Sequence, residues 1–317
     1  EADSAQVKVH LKLEEVDYGA VEQLIFSAEN CRTDAAKELS FEFETGATPR
    51  GGDPQDYNLV VVVRGKVFQP VMKRSAFWSY KIPPCMCGVR DGCTLYTREK
   101  PRNEGVSAAG ILSNKLHGID NTGNVCVWAS ENVLLHTILK SEVLRAAVKG
   151  KRVLELGGGM TALCGLGLAA VGECHSVVLT DGHPDCVGNQ RVSLQMTRQL
   201  QPEGQEGGLS RVHCEQMRWS KDDTLGDVAR VMDIGNGEPF DVIIVADCLF
   251  FTDFHDDLVW VLKRCLSQVG VVLLLQPRRA GSMQLFLDKT RNVFHVSVEE
   301  DYNDEVVEMR ARYEGKA

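Results

Sequence analysis

From residue 119 onward the chain alternates short apolar runs with longer segments that repeat apolar residues at helical intervals. Strands and helices that alternate in this way form parallel strands joined by right-handed crossovers, with helices on both faces of the sheet. We therefore predict an α/β fold, a Rossmann-like, doubly wound and mostly parallel sheet, over residues 119–317. The predicted strands are 153–156, 176–180, 212–215, 240–246 and 269–275, and the predicted helices are 161–171, 184–200, 253–266 and 281–291, preceded by one helix from Ser130 to about 149.

The first 118 residues have a different pattern. Val7, Val9 and Leu11 alternate with polar residues, and 59–63 is a β-branched run. Gly- and Pro-containing breaks separate such stretches. The sequence therefore predicts an N-terminal β-rich accessory region over 1–118, and it indicates no function for that region.

Charge and cysteine content exclude several classes of function. Thirty-five Lys and Arg against forty-four Asp and Glu give a net charge of −9, whereas non-specific nucleic-acid or membrane binding needs a positive field. We expect neither partner, and no apolar run approaches the roughly 18 residues of a membrane span. Eleven scattered cysteines indicate reduced thiols and a cytoplasmic, or also nuclear, location. Cys85, Cys87 and Cys93 match no standard zinc spacing, so we expect no metal.

A glycine-rich turn follows the first predicted strand. Glu155 and Leu156 precede three consecutive glycines, 157–159. Glycines at a strand-to-helix turn let the backbone approach a ligand and direct N–H groups at it. The spacing allows a dinucleotide or S-adenosylmethionine, and a turn without a ligand is a third possibility. Glu155 favours S-adenosylmethionine, because a carboxylate repels a pyrophosphate but attracts an ammonium or sulfonium group.

Two acidic residues follow two other predicted strands. Asp181 ends the second strand, where a carboxylate can accept hydrogen bonds from both ribose hydroxyls of a nucleoside. Asp247 follows the fourth strand, at the carboxyl edge where ligands bind in open α/β sheets. Alternatively, Asp181 opens the next helix, and Asp247 caps a helix or pairs with an arginine.

Together these motifs resemble the seven-β-strand S-adenosylmethionine-dependent methyltransferases, and within them the protein-lysine branch with its calmodulin-directed members. The resemblance covers about residues 119–302. Phe250 stands where most of that branch has tyrosine, and the chain ends soon after Tyr302, where the family adds a last antiparallel strand. The matching segments are 120–128, 155–159, 180–182, 218–219, 246–250 and 276–279.

The resemblance implies that S-adenosylmethionine is the cofactor and that Asp247 and Phe250 are the catalytic residues, lining a channel for the substrate lysine. An apolar channel lowers the pKa of a lysine, while a carboxylate recruits its charged form. The resemblance implies a cofactor site made of the glycine turn and the residues around it: Trp128, Glu155, Gly157, Gly159, Asp181, Trp219 and Ala246.

Four functions are compatible with these motifs. The first is methyl transfer from S-adenosylmethionine to a lysine amine of a protein, with calmodulin or a similar acidic folded protein as substrate. Arg278 and Arg279 follow the fifth strand and could contact such an acidic partner. The others are the same reaction on an elongation factor or a chaperone, a non-catalytic module that binds a cofactor or partner, and a nicotinamide-dependent oxidoreductase.

Overall fold

The structure is a computed structural model in which ten segments of the chain are described. The sequence predictions for 7–13, for Arg278 and for Arg279 lie outside these residues, as does most of 120–126. The described residues are 62–63, 66–67, 76–88, 92–99, 123, 127–202, 208–223, 226–277, 281–300 and 302–307.

The described part of the N-terminal region consists of two antiparallel strand pairs. Strand β1 (Val62–Val63) pairs with β2 (Lys66–Val67), at the end of the predicted β-branched run. Strand β3 (Ala76–Ile82) pairs with β4 (Cys93–Glu99), and the short helix α1 (Pro84–Cys87) lies between them.

Five parallel strands form the central sheet, in the order β7-β6-β5-β8-β9. This sheet confirms the predicted Rossmann-like α/β fold. The chain builds outward from β5 in one direction and then reverses to build in the other, so the carboxyl ends of the central strands border a crevice. The strands are β5 (Arg152–Leu156), β6 (Ser176–Asp181), β7 (Val212–Gln216), β8 (Phe240–Ala246) and β9 (Leu266–Leu275).

Helices cover both faces of this sheet. Residues from α4 and from α7 belong to separate hydrophobic clusters, one on each face. None of the helices in the described segments is both long and apolar enough to span a membrane. After α1 the helices are α2 (Ala129–Lys140), α3 (Glu142–Val148), α4 (Leu163–Ala170), α5 (Pro184–Leu200), α6 (Asp227–Ile234), α7 (His255–Cys265) and α8 (Ser282–Thr290).

The structure corrects three details of the sequence prediction. The helix predicted to begin at Ser130 begins one residue earlier and is two helices, because the chain bends at Ser141, whose hydroxyl accepts the N–H of Leu144 at 3.3 Å. Helix α6 was not predicted, because polar and glycine-containing sequence surrounds its short apolar face. Strand β9 begins at Leu266 rather than at 269, since the chain passes directly from α7 into the sheet.

The β3–β4 hairpin is attached to α5 through the edge of β4. The N–H of Tyr96 donates to Thr197 Oγ1 at 2.9 Å, and the N–H of Arg98 donates to Ser193 Oγ at 3.1 Å. Asn189, four residues before Ser193, accepts a bond from Arg98 Nε at 2.7 Å. Four residues of helix rise roughly 6 Å, close to the roughly 6.7 Å between alternate residues of a strand. The helix thus satisfies strand-edge groups that would otherwise lack partners.

The same hairpin shares the hydrophobic core of the sheet domain. Buried Ile82 and Leu95 belong to one cluster with Ile138 of α2 and Leu166 of α4. The division of the chain at residue 118 stays a prediction, because the packing of the hairpin against the sheet domain does not locate a domain boundary.

Candidate active site

A cleft of about 790 Å³, open to solvent, lies at the carboxyl ends of β5, β6 and β8. All the predicted site residues line it except Glu155. The described residues that line it are Gly123, Trp128, Glu131, Gly157, Gly159, Asp181, Gly182, Met217, Arg218, Trp219, Ala246, Asp247, Cys248, Phe250, Phe251 and Phe254.

The glycine turn, residues 157–159, forms one wall of the cleft. Gly157 and Gly159 have φ angles of 64° and 56°, in the left-handed region that favours glycine. A Cβ on Gly157 would lie 2.6 Å from the Sγ of Cys248, and one on Gly159 would lie 3.3 Å from the carbonyl oxygen of Gly123. Both the left-handed conformation and the close approach of neighbouring protein atoms therefore require glycine at these two positions.

Helix α5 holds the outer side of this turn. Gln190 Nε2 donates to the carbonyl of Gly159 at 2.7 Å, and Asn189 Nδ2 donates to the carbonyl of Met160 at 2.8 Å. Asn189 also donates to the carbonyl of Arg98 in β4. One side chain therefore connects the N-terminal hairpin to the end of the glycine turn.

Asp181 lies at the end of β6 with its carboxylate in a fixed direction. Its Oδ2 accepts the N–H of Gly159 at 2.9 Å, and its Oδ1 accepts the N–H of His183 at 2.7 Å. The residue is only 7% exposed, and the exposed part lines the cleft. The helix that follows is capped by His183, which accepts the N–H of Asp185 at 3.1 Å. The cap of this helix is thus His183 rather than Asp181, which instead binds the backbone N–H of the capping residue.

Glu155 lies beneath the glycine turn, not in the cleft. Its side chain is 1% exposed, and its Oε2 accepts the N–H of Gly165 in α4 at 2.9 Å. Burial raises the pKa of this carboxyl to about 8, and the nearby carboxylates of Glu131 and Asp181 act in the same direction. The enclosed carboxyl therefore binds the first turn of α4 rather than lining the cleft.

Glu131 is a cleft residue that the sequence reasoning missed. It lies in the first turn of α2, is buried, and accepts bonds at Oε2 from the Thr161 hydroxyl at 3.1 Å and the Leu163 N–H at 2.9 Å. It thereby places a carboxylate at the N-terminus of α4, where negative charge is favoured. Its Oε1 lies 3.6 Å from the Cβ position of Gly159. The only signal in the sequence was an acidic residue three positions after Trp128.

Trp219 and Arg218 form the wall of the cleft next to β6 and β7. The Trp219 ring lies against the glycine turn, with Cζ2 3.2 Å from the Cβ position of Gly157. Arg218 donates from Nε and Nη2 to the carboxylate of Asp227 in α6, at 2.7 and 3.0 Å. The guanidinium is therefore engaged by α6, and the tryptophan provides a flat apolar face toward the cleft.

The opposite end of the cleft is formed by the chain that follows β8. Asp247 has a φ angle of 55°, unusual for a residue with a side chain, and its N–H donates to the carbonyl of Leu275 at 2.9 Å. Phe250 and Phe251 are 50% and 39% exposed, and their rings meet edge to face with centroids 4.8 Å apart. Exposed aromatic rings beside a carboxylate suit the stem and the amine of a lysine.

Cys248 lies between the two ends of the cleft, where its surroundings disfavour the thiolate form. Burial raises its pKa well above the usual value, and the carboxylates of Asp181 and Asp247 raise it further. Its Sγ donates to the carbonyls of Leu156 and Ala246, at 3.6 and 3.3 Å. A thiol in these surroundings is less reactive than one with a lowered pKa.

Comparison with known proteins identifies the family. A family model described as lysine methyltransferase matches residues 113–293, more than half of the chain. The chain belongs to the lysine methyltransferase family. The calmodulin-lysine N-methyltransferase of Arabidopsis thaliana is 32% identical to this chain over 198 residues. These residues make up 62% of this chain and 59% of the relative. The chain therefore spans about three fifths of the length of that curated relative.

The solved structures that resemble this chain are more distant from it in sequence. Cofactor-bound Rv0187 from MTB is 18% identical with a TM-score of 0.35, over 59% of this chain and 77% of that one. A putative RNA methyltransferase, PH1948 from Pyrococcus horikoshii, is 12% identical with a TM-score of 0.34, over 51% and 67%.

Membership of the family confirms the predicted cofactor, S-adenosylmethionine, and the cleft fits such a ligand. Gly157 and Gly159 line the cleft with backbone that carries no side chain, which lets a ligand approach closely. Carboxylates of Asp181 and Glu131 face the same cleft, which suits a cation with hydroxyl groups and disfavours a pyrophosphate.

Proposed function

We propose that this chain transfers a methyl group from S-adenosylmethionine to the side-chain amine of a lysine in a protein, with calmodulin as the first candidate substrate. One observation carries the proposal: a single cleft joins the glycine turn and Asp181 to Asp247 and Phe250. Family membership and the calmodulin-directed relative support it from outside the geometry.

In this proposal the turn end of the cleft binds the cofactor. Gly157 and Gly159 would contact its methionine part, Asp181 its ribose hydroxyls, and Trp219 its adenine, where ring stacking contributes about 0.5–1.5 kcal/mol. Trp128 and Ala246, which also line the cleft, would complete the wall. Bound by these residues, the cofactor would supply an electrophilic methyl group.

The aromatic end prepares the lysine. A lysine of pKa near 10.4 must lose a proton before it can attack, which costs about 4–5 kcal/mol at pH 7. The carboxylate of Asp247 attracts the charged amine, and the rings of Phe250 and Phe251 exclude water and so lower its pKa. Alignment of the amine with the methyl group contributes up to about 7–11 kcal/mol, so the reaction depends more on position than on a general base.

Charge bears on the choice of substrate. A chain with a net charge of −9 repels an acidic protein at long range, so an acidic substrate requires a local basic contact. Arg278 and Arg279, which follow β9 in the sequence, are our candidates for that contact. We continue to expect no nucleic-acid or membrane partner and a cytoplasmic, or also nuclear, location.

Two measurements test the function. Titration calorimetry with S-adenosylmethionine should detect binding, and transfer of radiolabelled methyl groups to calmodulin should be followed by mass spectrometry that maps the modified lysine. An elongation factor and a chaperone serve as comparison substrates. Binding without transfer to any protein would indicate a non-catalytic module, and preferred labelling of a comparison substrate would replace calmodulin.

A further inference from the structure

Gln276 connects the two strands that end at the aromatic side of the cleft. It directly follows β9, and its Nε2 donates to Asp247 Oδ1 at 3.0 Å while its Oε1 accepts the N–H of Leu249 at 2.9 Å. Nε2 also approaches the carbonyl of Pro277 at 3.3 Å. The carboxylate needs a donor and the N–H needs an acceptor, so only one orientation of the amide satisfies both.

The turn that Gln276 holds includes a residue with an unusual backbone conformation. Asp247 has its φ angle in the left-handed region, which aspartate adopts more readily than most residues that carry a Cβ. The backbone bond from Asp247 N–H to Leu275 fixes the start of this turn, and the two bonds of Gln276 fix the carboxylate and the N–H two residues later. Gln276 does not line the cleft, so it acts on a ligand only through Asp247.

We propose that Gln276 is a positioning residue, which aims the carboxylate of Asp247 at the incoming lysine while adding no charge of its own. This inference rests on the proposed function of the cleft. A neutral donor adds no second negative charge beside Asp247, so the carboxylate attracts an ammonium group without the further attraction for its proton that a pair of carboxylates would have. A second carboxylate at position 276 would favour the ammonium form and oppose its deprotonation.

The other ionisable groups around Asp247 are few within the described segments. The cleft is also lined by Asp181, Glu131 and the neutral thiol of Cys248, and by Arg218, which is bound to Asp227. Among the described residues that line the cleft, the cation is Arg218, and it is already paired with Asp227. A new negative charge at position 276 would therefore act mainly on Asp247.

Two substitutions separate position from charge. Gln276→Leu removes both hydrogen bonds at similar size, and Gln276→Glu keeps the acceptor for Leu249 but opposes Asp247 with a second carboxylate. Gln284→Glu is the matched control, because Gln284 Nε2 also donates to an aspartate, Asp288, at 2.7 Å on the exposed surface of α8. Circular dichroism and calorimetry with S-adenosylmethionine establish that each variant is folded and binds the cofactor.

The expected results differ between the variants. Gln276→Leu should lower kcat/KM for the protein substrate about tenfold, the value of a hydrogen bond to a charged group, with cofactor affinity changed less than threefold. Gln276→Glu should move the rising limb of the pH profile of kcat about one pH unit upward. The control should change neither quantity. Should Gln276→Leu not fold, Gln276→Glu alone decides, because it keeps the Leu249 bond.

A second readout does not depend on turnover. Carbon-13 NMR titration of the Asp247 carboxyl should show a pKa at least about one unit higher in Gln276→Glu than in the native chain, since adjacent carboxylates cannot both ionise easily. An unchanged Asp247 titration overturns the positioning role. A shifted titration in a chain that methylates no protein overturns the proposed function and leaves only the coupling between position 276 and Asp247 in place.

Discussion

The two ends of the cleft are built differently. At the turn end the polar groups are held by main-chain bonds and by α5: Asp181 accepts two N–H groups, and Gln190 fixes the carbonyl of Gly159. At the aromatic end Phe250 and Phe251 expose large parts of their rings to solvent. The polar groups of the turn end are therefore already oriented without a ligand. The exposed rings of the aromatic end become buried only when another molecule binds over them.

This difference corresponds to two kinds of ligand. A site whose donors and acceptors are already oriented binds one small molecule without the cost of ordering its own groups. Exposed aromatic rings gain contact area when another surface covers them, and they tolerate variation in that surface. We infer that the turn end sets which cofactor is bound and that the aromatic end sets how fast a lysine reacts.

The largest effect is expected at the turn end, from Asp181→Asn. The asparagine amide has only one oxygen, so its NH₂ group would face the N–H of either Gly159 or His183 and one hydrogen bond would be lost. The substitution also removes the negative charge that favours hydroxyl donors. We expect S-adenosylmethionine to bind about 100-fold more weakly by titration calorimetry. Asp185→Asn, the same substitution in the next helix and away from the cleft, is the control. An affinity within threefold of the native chain would show that the turn end does not depend on this carboxylate.

The second effect belongs to the aromatic end and should leave the first end intact. Asp247→Asn retains a residue that tolerates a positive φ angle but removes the charge that attracts the ammonium group. Turnover of the protein substrate should fall about 30-fold in kcat/KM, measured with radiolabelled methyl groups, while cofactor affinity is retained. Asp253→Asn, on the exposed turn before α7, is the control. A matching loss of cofactor affinity would contradict the division of the cleft into two ends.

A smaller effect is expected from the rings. Phe250→Ala should raise the KM of the protein substrate about fivefold, in line with an aromatic contact of about 1 kcal/mol, whereas Phe250→Tyr should retain most of the native value. Steady-state kinetics at saturating cofactor measure both. Val143→Ala, which truncates an exposed apolar residue of α3, controls for loss of surface hydrophobicity. An unchanged KM for Phe250→Ala would mean that the substrate does not cover this end.

The sequence predicted the strands and the strand-end carboxylates for a simple physical reason. Parallel strands all end at one edge of the sheet, so Asp181 and Asp247 had to lie near the glycine turn. Glu131 and Gln276 were not predicted as site residues, because their partners are 30 and 29 residues away, at Thr161 and Asp247. Such pairings depend on how α2 and β9 pack against the rest of the fold. The hydrophobic pattern within one short segment of sequence does not predict this packing.

The local sequence pattern also did not predict the face of β5 on which the Glu155 side chain lies. Side chains alternate between the two faces of a strand, and both faces of β5 are buried, so polarity does not reveal which face Glu155 occupies. Its neighbour Val153 belongs to the cluster beneath α4, whereas Leu154 and Leu156 belong to the cluster on the other face. The carboxyl therefore points under α4, where it accepts the N–H of Gly165.

The smallest effect on the cofactor is expected from Glu155→Gln, which keeps an acceptor for the Gly165 N–H. Cofactor affinity should change less than threefold by calorimetry, and a large loss would restore the cofactor contact that the sequence implied. The effect should appear in stability instead. Because the folded pKa is raised to about 8, the folded chain binds more protons than the unfolded chain between about pH 4.5 and 8, and native stability falls as pH rises through that window. Urea unfolding at pH 5 and pH 8 should show a decline that is larger in the native chain than in Glu155→Gln.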